Sequence, residues 1–184
     1  ILSHGRFYET FRSWAEGYAC HIPLAVLHNE CNAHHQHRGA LYDMAHAVRA
    51  SGADDDLLVI GGDNFFSFTL DEFIDFSKTR RPQSVIGVYS LNGKLKPKKY
   101  GLLKLDEERR VVDFCEKPSA LNGLRLVSMC VYFFPRESLS YLGEYVRRPD
   151  HRNTLGSYIE WLTRSREVSG YEFQGSWIDI EDEE

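Results

Sequence analysis

The chain has no apolar run approaching the roughly 20 residues that a membrane-spanning helix needs, so no membrane span is expected. It also lacks positive charge in excess. Its 22 basic residues stand against 27 acidic ones, a net charge of -5, so a nucleic-acid backbone is not an expected partner. Cysteine is sparse: Cys20, Cys31, Cys115 and Cys130 form no CxxC pair, and a chain of this size needs no disulfide staples, so a reducing cytoplasm is the expected location. GxGxxG, GxxxxGK[ST] and GxSxG are all absent, which removes the motif-based case for a dinucleotide cradle, a P-loop and a nucleophile elbow. No internal repeat or signal-peptide pattern is visible. The chain opens without methionine on Ile1-Leu2-Ser3, which reads as the end of a strand, and an upstream segment is expected.

What is present is ordinary globular material, 42% hydrophobic and 27% charged, expected to form one α/β domain over residues 1–184. Its organising stretch is Leu57-Leu58-Val59-Ile60-Gly61-Gly62-Asp63-Asn64. Four aliphatics without polar alternation predict a strand buried on both faces of a parallel sheet. The glycines permit a sharp turn that delivers Asp63 to the carboxyl edge, where open α/β sheets bind ligands.

Helical spacing of Phe7, Phe11, Trp14 and Ala15 predicts a helix over 6–17 with its apolar face on the sheet. A strand is expected over 22–27, and a helix from Gly39 to about Ser51-Gly52 with Leu41, Met44, Ala45 and Val48 on one face. Thr69 and Glu72 read as a capping box for a helix over 70–78. Strands follow over 84–89, 101–105, 111–114 and 126–134, the middle two joined by an Asp-Glu-Glu-Arg turn. Helices containing Leu139, Leu142 and Val146, then Ile159 and Leu162, come next, the second capped by Asn153. Strands over 168–173 and 177–180 lead to an acidic, solvated tail.

Several groups could carry chemistry. Asp63 and Asp179 both end short apolar strands, and two carboxylates at one sheet edge suit Mg2+, which is commonly held by one or two carboxylates plus substrate phosphates. A turn cap and a surface residue are the plainer roles for each. Glu116-Lys117-Pro118 closes a strand: a lysine can take phosphate while the glutamate accepts sugar hydroxyls, although an exposed ion pair explains the same residues. His28, Cys31, His34, His35 and His37 crowd one loop, and Cys31-x-x-His34 has a zinc-compatible spacing without the paired doublets of structural zinc sites. Asp54-Asp55-Asp56 precedes its strand and reads as a solvated turn.

Taken in order, these motifs resemble the sugar-phosphate nucleotidyltransferases, especially the glucose-1-phosphate thymidylyltransferase-like group. VIGGDNFF, YGLLKLDEERRVVDFCEKP, LVSMCVYFFP, LGSYIEWL and FQGSWIDI are each similar to a family segment, in register from Ile1 to Ile180. The resemblance implies a Rossmann-like three-layer α/β fold with a mixed, mainly parallel sheet of the nucleotide-diphospho-sugar transferase type, lacking its first strand and glycine-rich loop. It implies transfer of a nucleotidyl group from a nucleoside triphosphate to a sugar 1-phosphate, with release of pyrophosphate. Asp63 and Asp179 would hold magnesium, Tyr100, Gly101 and Glu116 would face the sugar, and Lys117 would contact its phosphate. Gly39 and Asp63 would lie by the nucleotide. Asp63, Lys117 and Asp179 would be the catalytic set. A non-catalytic sugar-phosphate-binding relative is the alternative, because the family's GxGTR-type loop is absent and Met129-Cys130 stands where a small residue and glycine are usual. A homo-oligomer is compatible with the exposed edge that a shortened sheet would leave.

Overall fold

The computed structural model describes residues 1–31, 38–90 and 98–180, in two compact units, Ile1–Ala53 and Asp54–Glu184. In the first unit β1 (Leu2–Ser3) pairs in parallel with β2 (Leu27–His28). Between them runs α1 (Gly5–Gly17), whose N-cap His4 accepts the Arg6 N–H on its ring nitrogen. The expected burial of the α1 apolar face is not observed: Phe7 and Trp14 are each 49% exposed, and no α1 residue is buried. Periodicity set the helix, but it does not specify a partner. The strand expected over 22–27 is also shortened to its last residue, consistent with Pro23, which has no N–H for a ladder. By contrast, α2 (Ala40–Ser51) buries Leu41 and Met44 as expected and stops at Gly52, in the left-handed region at φ 63°.

The second unit is built on a mixed sheet in the order β7 (Val111–Glu116), β6 (Gly101–Leu105), β8 (Leu126–Phe134), β5 (Ser84–Tyr89), β9 (Val168–Glu172). β3 (Leu57–Ile60) pairs with the second half of β8, residues 131–134. β3, β5, β6 and β9 run one way, with β8 and β7 against them, so β5–β9 is the parallel neighbour pair of this sheet. β8 is long enough to be shared: β6 takes its first residues, β3 its last, and β5 both. The reading of Leu57–Ile60 as a strand buried on both faces of a mainly parallel sheet is corrected: its ladder with β8 is antiparallel, one of four antiparallel pairs among the five described neighbour pairs of this sheet, because β8 runs against β3, β5 and β6, and β7 against β6. β3 is half-buried and Ile60 is 42% exposed, because β8 is its one ladder partner among the described residues.

Strand alternation sends Val85, Leu102, Val127 and Phe133 to a core shared with Phe73 of α3 (Asp71–Thr79). Phe134, from the opposite face, meets Tyr158 of α5 (Leu155–Ser165) at a ring separation of 5.8 Å. α4 (Leu139–Val146) packs beside α5, Tyr145 lying 5.4 Å from Tyr158. Two predicted caps are corrected. Thr69 does not cap α3: Leu70 holds that place, and Glu72 instead accepts the Tyr171 hydroxyl at 2.9 Å. Thr154, not Asn153, caps α5 by accepting the Ser157 N–H. The Asp54–Asp56 turn is ion-paired rather than merely solvated: Arg136 binds Asp54 and Arg81 binds Asp56. Residues 32–37, 91–97 and 181–184, which hold His34, His35, His37, most of the basic loop and the acidic tail, lie outside the described residues.

Candidate functional site

A two-stranded ribbon gathers the predicted carboxylates. β4 (Asn64–Phe66) pairs antiparallel with β10 (Trp177–Asp179), setting Asp179 opposite Asn64, and the Ile180 N–H donates to the Asp63 carbonyl at 2.9 Å. Asp63 and Asp179 are therefore brought together by backbone pairing, across more than a hundred positions of sequence. The turn before β4 is tight because Gly61 has no side chain. A Cβ there would lie 2.7 Å from Asn64 Nδ2, 2.8 Å from Asp63 Oδ1 and 3.1 Å from Cys130 Sγ.

Asn64 ties this turn to the rest of the site. Its Nδ2 donates to Asp63 Oδ1 at 2.9 Å and to the Gly61 carbonyl at 3.2 Å, while its Oδ1 accepts the Trp177 indole N–H at 2.7 Å. Trp177 is buried, with its ring 5.7 Å from Tyr100 and 5.6 Å from Tyr89. Tyr100, half of the predicted Tyr-Gly pair, is thus one aromatic contact from the Asp63 turn.

The Glu-Lys-Pro turn is pinned to the same strand. Gly101 is in register with Glu116, and the Lys117 N–H donates to the Tyr100 carbonyl at 3.1 Å. Lys117 is exposed and takes φ 48°. Burial raises the Glu116 carboxyl above its ordinary range and Glu160 adds to the rise, while Lys117 opposes both. Oxygen donors at the ribbon and a cation beside a half-buried acid suit a ligand that is anionic at one point and rich in hydroxyls at another.

Between these two clusters lies Cys130, at φ 57° in the middle of β8, where the β5–β8 register shifts. Its carbonyl accepts the Gly61 N–H at 2.9 Å. Burial, then the Asp63 carboxylate, pushes the thiol up to about 12, with a smaller contribution from Glu116. The expectation of glycine at this position therefore has a physical basis, since the left-handed region favours it.

A sequence profile of the nucleotidyl transferase family matches residues 1–182. The chain belongs to that family. Glucose-1-phosphate adenylyltransferase of Clostridium acetobutylicum is 29% identical over 129 residues, covering 67% of this chain and 33% of the relative. The enzyme of the same name from Desulforamulus reducens is 29% identical over 127 residues, 67% of this chain and 31% of the relative. The chain thus spans about a third of the length of these curated relatives. A crystal structure from Bacillus anthracis, assigned as a glucose-1-phosphate thymidylyltransferase in complex with a sucrose, superposes with a TM-score of 0.67 at 15% identity, covering 85% of this chain and 60% of that one. The nucleotidyl transferase fold, Rossmann-like and α/β, is accordingly that of this chain.

Gly39 lies in the first unit as the N-cap of α2 at φ 92°, a conformation open to glycine, and makes no side-chain cap. Cys31 is buried with its N–H on Asn29 Oδ1, and His28 accepts the Glu30 N–H on its ring. The other histidines of the suggested zinc loop are outside the described residues, and among the described residues no group of three or more His, Cys, Asp or Glu is placed to hold a metal. Two contributors escaped sequence reasoning. Asn64 could have been found from its place beside Asp63. Gly156, which abuts Glu116, offers only a glycine within an expected helix, a signal that does not name its partner.

Proposed function

We propose that the chain takes part in moving a nucleotidyl group from a nucleoside triphosphate to a sugar 1-phosphate, giving a nucleotide sugar and pyrophosphate. The observation that carries this reading is the β4–β10 ribbon, which delivers Asp63 and Asp179 to one edge beside Tyr100 and the Glu-Lys-Pro turn. Two carboxylates fit Mg2+, which completes its shell with water and phosphate oxygens. Bound there, Mg2+ supplies positive charge against the repulsion of two anionic substrates. Lys117 binds the sugar phosphate, and Glu116, Tyr100 and Gly101 take the sugar ring. An oxygen of the sugar phosphate attacks the α-phosphorus as the bond to the bridging oxygen breaks and pyrophosphate leaves.

The names of the curated relatives make glucose 1-phosphate and ATP the first substrates to try. Free cysteines at 20, 31, 115 and 130 support a cytoplasmic setting, and the exposed apolar residues of α1 support self-association. No helix among the described residues is long and apolar enough to cross a membrane.

The test is pyrophosphate release from each nucleoside triphosphate with glucose 1-phosphate and Mg2+. Release that needs the sugar phosphate, and that falls at least about 100-fold in Asp63→Asn, is expected if the carboxylate stabilises charge in the transition state. Release unaltered by that substitution contradicts the metal role. The left-handed Cys130 beside Asp63 favours a second reading, a sugar-phosphate sensor. Calorimetry showing sugar-phosphate binding indifferent to nucleotide and Mg2+, with no pyrophosphate formed, would select it.

A further inference from the structure

The Glu116 carboxylate occupies a seat that exists because two glycines flank it. A Cβ on Gly156 would fall 1.9 Å from Glu116 Oε2, 2.2 Å from Cδ and 2.6 Å from Oε1. A Cβ on Gly101 would fall 2.9 Å from the same Oε2. Gly101 is the ladder partner of Glu116, whereas Gly156 comes from the first turn of α5, some forty positions later. Inside a helix, glycine is a poor choice on propensity, and alanine would be favoured unless its methyl group had nowhere to go. Here it has nowhere to go.

The colliding atoms are the far end of a flexible side chain. Alanine at 156 therefore does not break the helix; it displaces the carboxylate. We infer that Gly156 is a positioning residue for substrate recognition, holding the Glu116 carboxylate against the α5 backbone so that it meets the sugar hydroxyls at a fixed place. This rests on the proposed sugar-binding role of Glu116, and it adds a specificity determinant from an element the Glu-Lys-Pro motif does not include. Displacing an acceptor by about an ångström is enough to cost roughly 10- to 100-fold where binding depends on its placement.

The experiment is a double-mutant cycle read by calorimetry with glucose 1-phosphate and Mg2+, alongside melting temperature and the carboxyl carbon resonance of Glu116, assigned by its loss in Glu116→Ala. Gly156→Ala is expected to weaken binding at least about tenfold at an unchanged or raised melting temperature, and to cost nothing further in the Glu116→Ala background. Its Glu116 resonance is expected to move even without ligand. Equal losses in both backgrounds, or wild-type affinity with an unmoved resonance, would overturn the inference. If the unsubstituted protein binds no sugar phosphate, the proposed function fails, and the resonance still decides the seat: moved supports it, unmoved refutes it.

Discussion

Cys130 holds a conformation that costs an L-residue about 1–2 kcal/mol, at φ 57° within a strand. Cys130→Gly removes that strain while giving up a small buried side chain and some unfolded-state entropy, so a net gain of about 0.5–1 kcal/mol is expected in urea unfolding. Cys130→Val should instead lose more than about 1 kcal/mol, because a β-branched residue is least at home at positive φ. A stability order of Val above Gly would contradict the strain. Asn64 presents a different dependence. Asn64→Ala leaves the buried Trp177 indole N–H without its acceptor, a loss of about 1–3 kcal/mol, and should redshift or quench tryptophan emission as the ribbon loosens.

At the scale of elements, the β6–β7 hairpin depends on one carboxylate. Asp106 Oδ1 accepts the Glu108 and Arg110 N–H groups at 3.0 and 2.8 Å, and Oδ2 accepts the Arg110 guanidinium at 2.7 Å. These bonds, the Arg110 backbone first, lower its pKa below the ordinary 3.8. A folded value below the unfolded one means that the contribution is present above about pH 4 and is lost as pH falls through the folded value. The difference in unfolding midpoint between wild type and Asp106→Ala should therefore be plain at pH 7 and shrink toward pH 2. A constant difference would point to packing instead. The Asp-Glu-Glu-Arg turn, like α2 and the long strand β8, was legible from residue order because its determinants are local. The α1 face and the cap of α3 were not. Amphipathic spacing makes a helix without naming its partner, and Glu72, offered both a cap and the Tyr171 hydroxyl, is taken by the tertiary contact. Likewise, four aliphatics in β3 could not reveal that β8 is their one described ladder partner.

For the molecule as a whole, the candidate site is assembled from segments that are far apart in sequence. Asp63, Asp179 and the Glu-Lys-Pro turn were readable as strand ends, yet nothing in their spacing said that they meet; family resemblance supplied that. The backbone pairing of β4 with β10 gives the physical reason, and Trp177 relays it to Tyr100. Gly156 was missed because its role is steric and visible only once Glu116 is in place, whereas Asn64 was within reach as the neighbour of Asp63. Asp63 and Asp179 are proposed to share one divalent cation. Mn2+ titration followed by electron paramagnetic resonance tests this most directly. One ion per chain is expected, with affinity falling more than about tenfold, a loss typical even of groups that only support a ligand, in Asp63→Asn and in Asp179→Asn alike, but not in Lys117→Ala. Mn2+ affinity unchanged by either aspartate substitution would contradict the account.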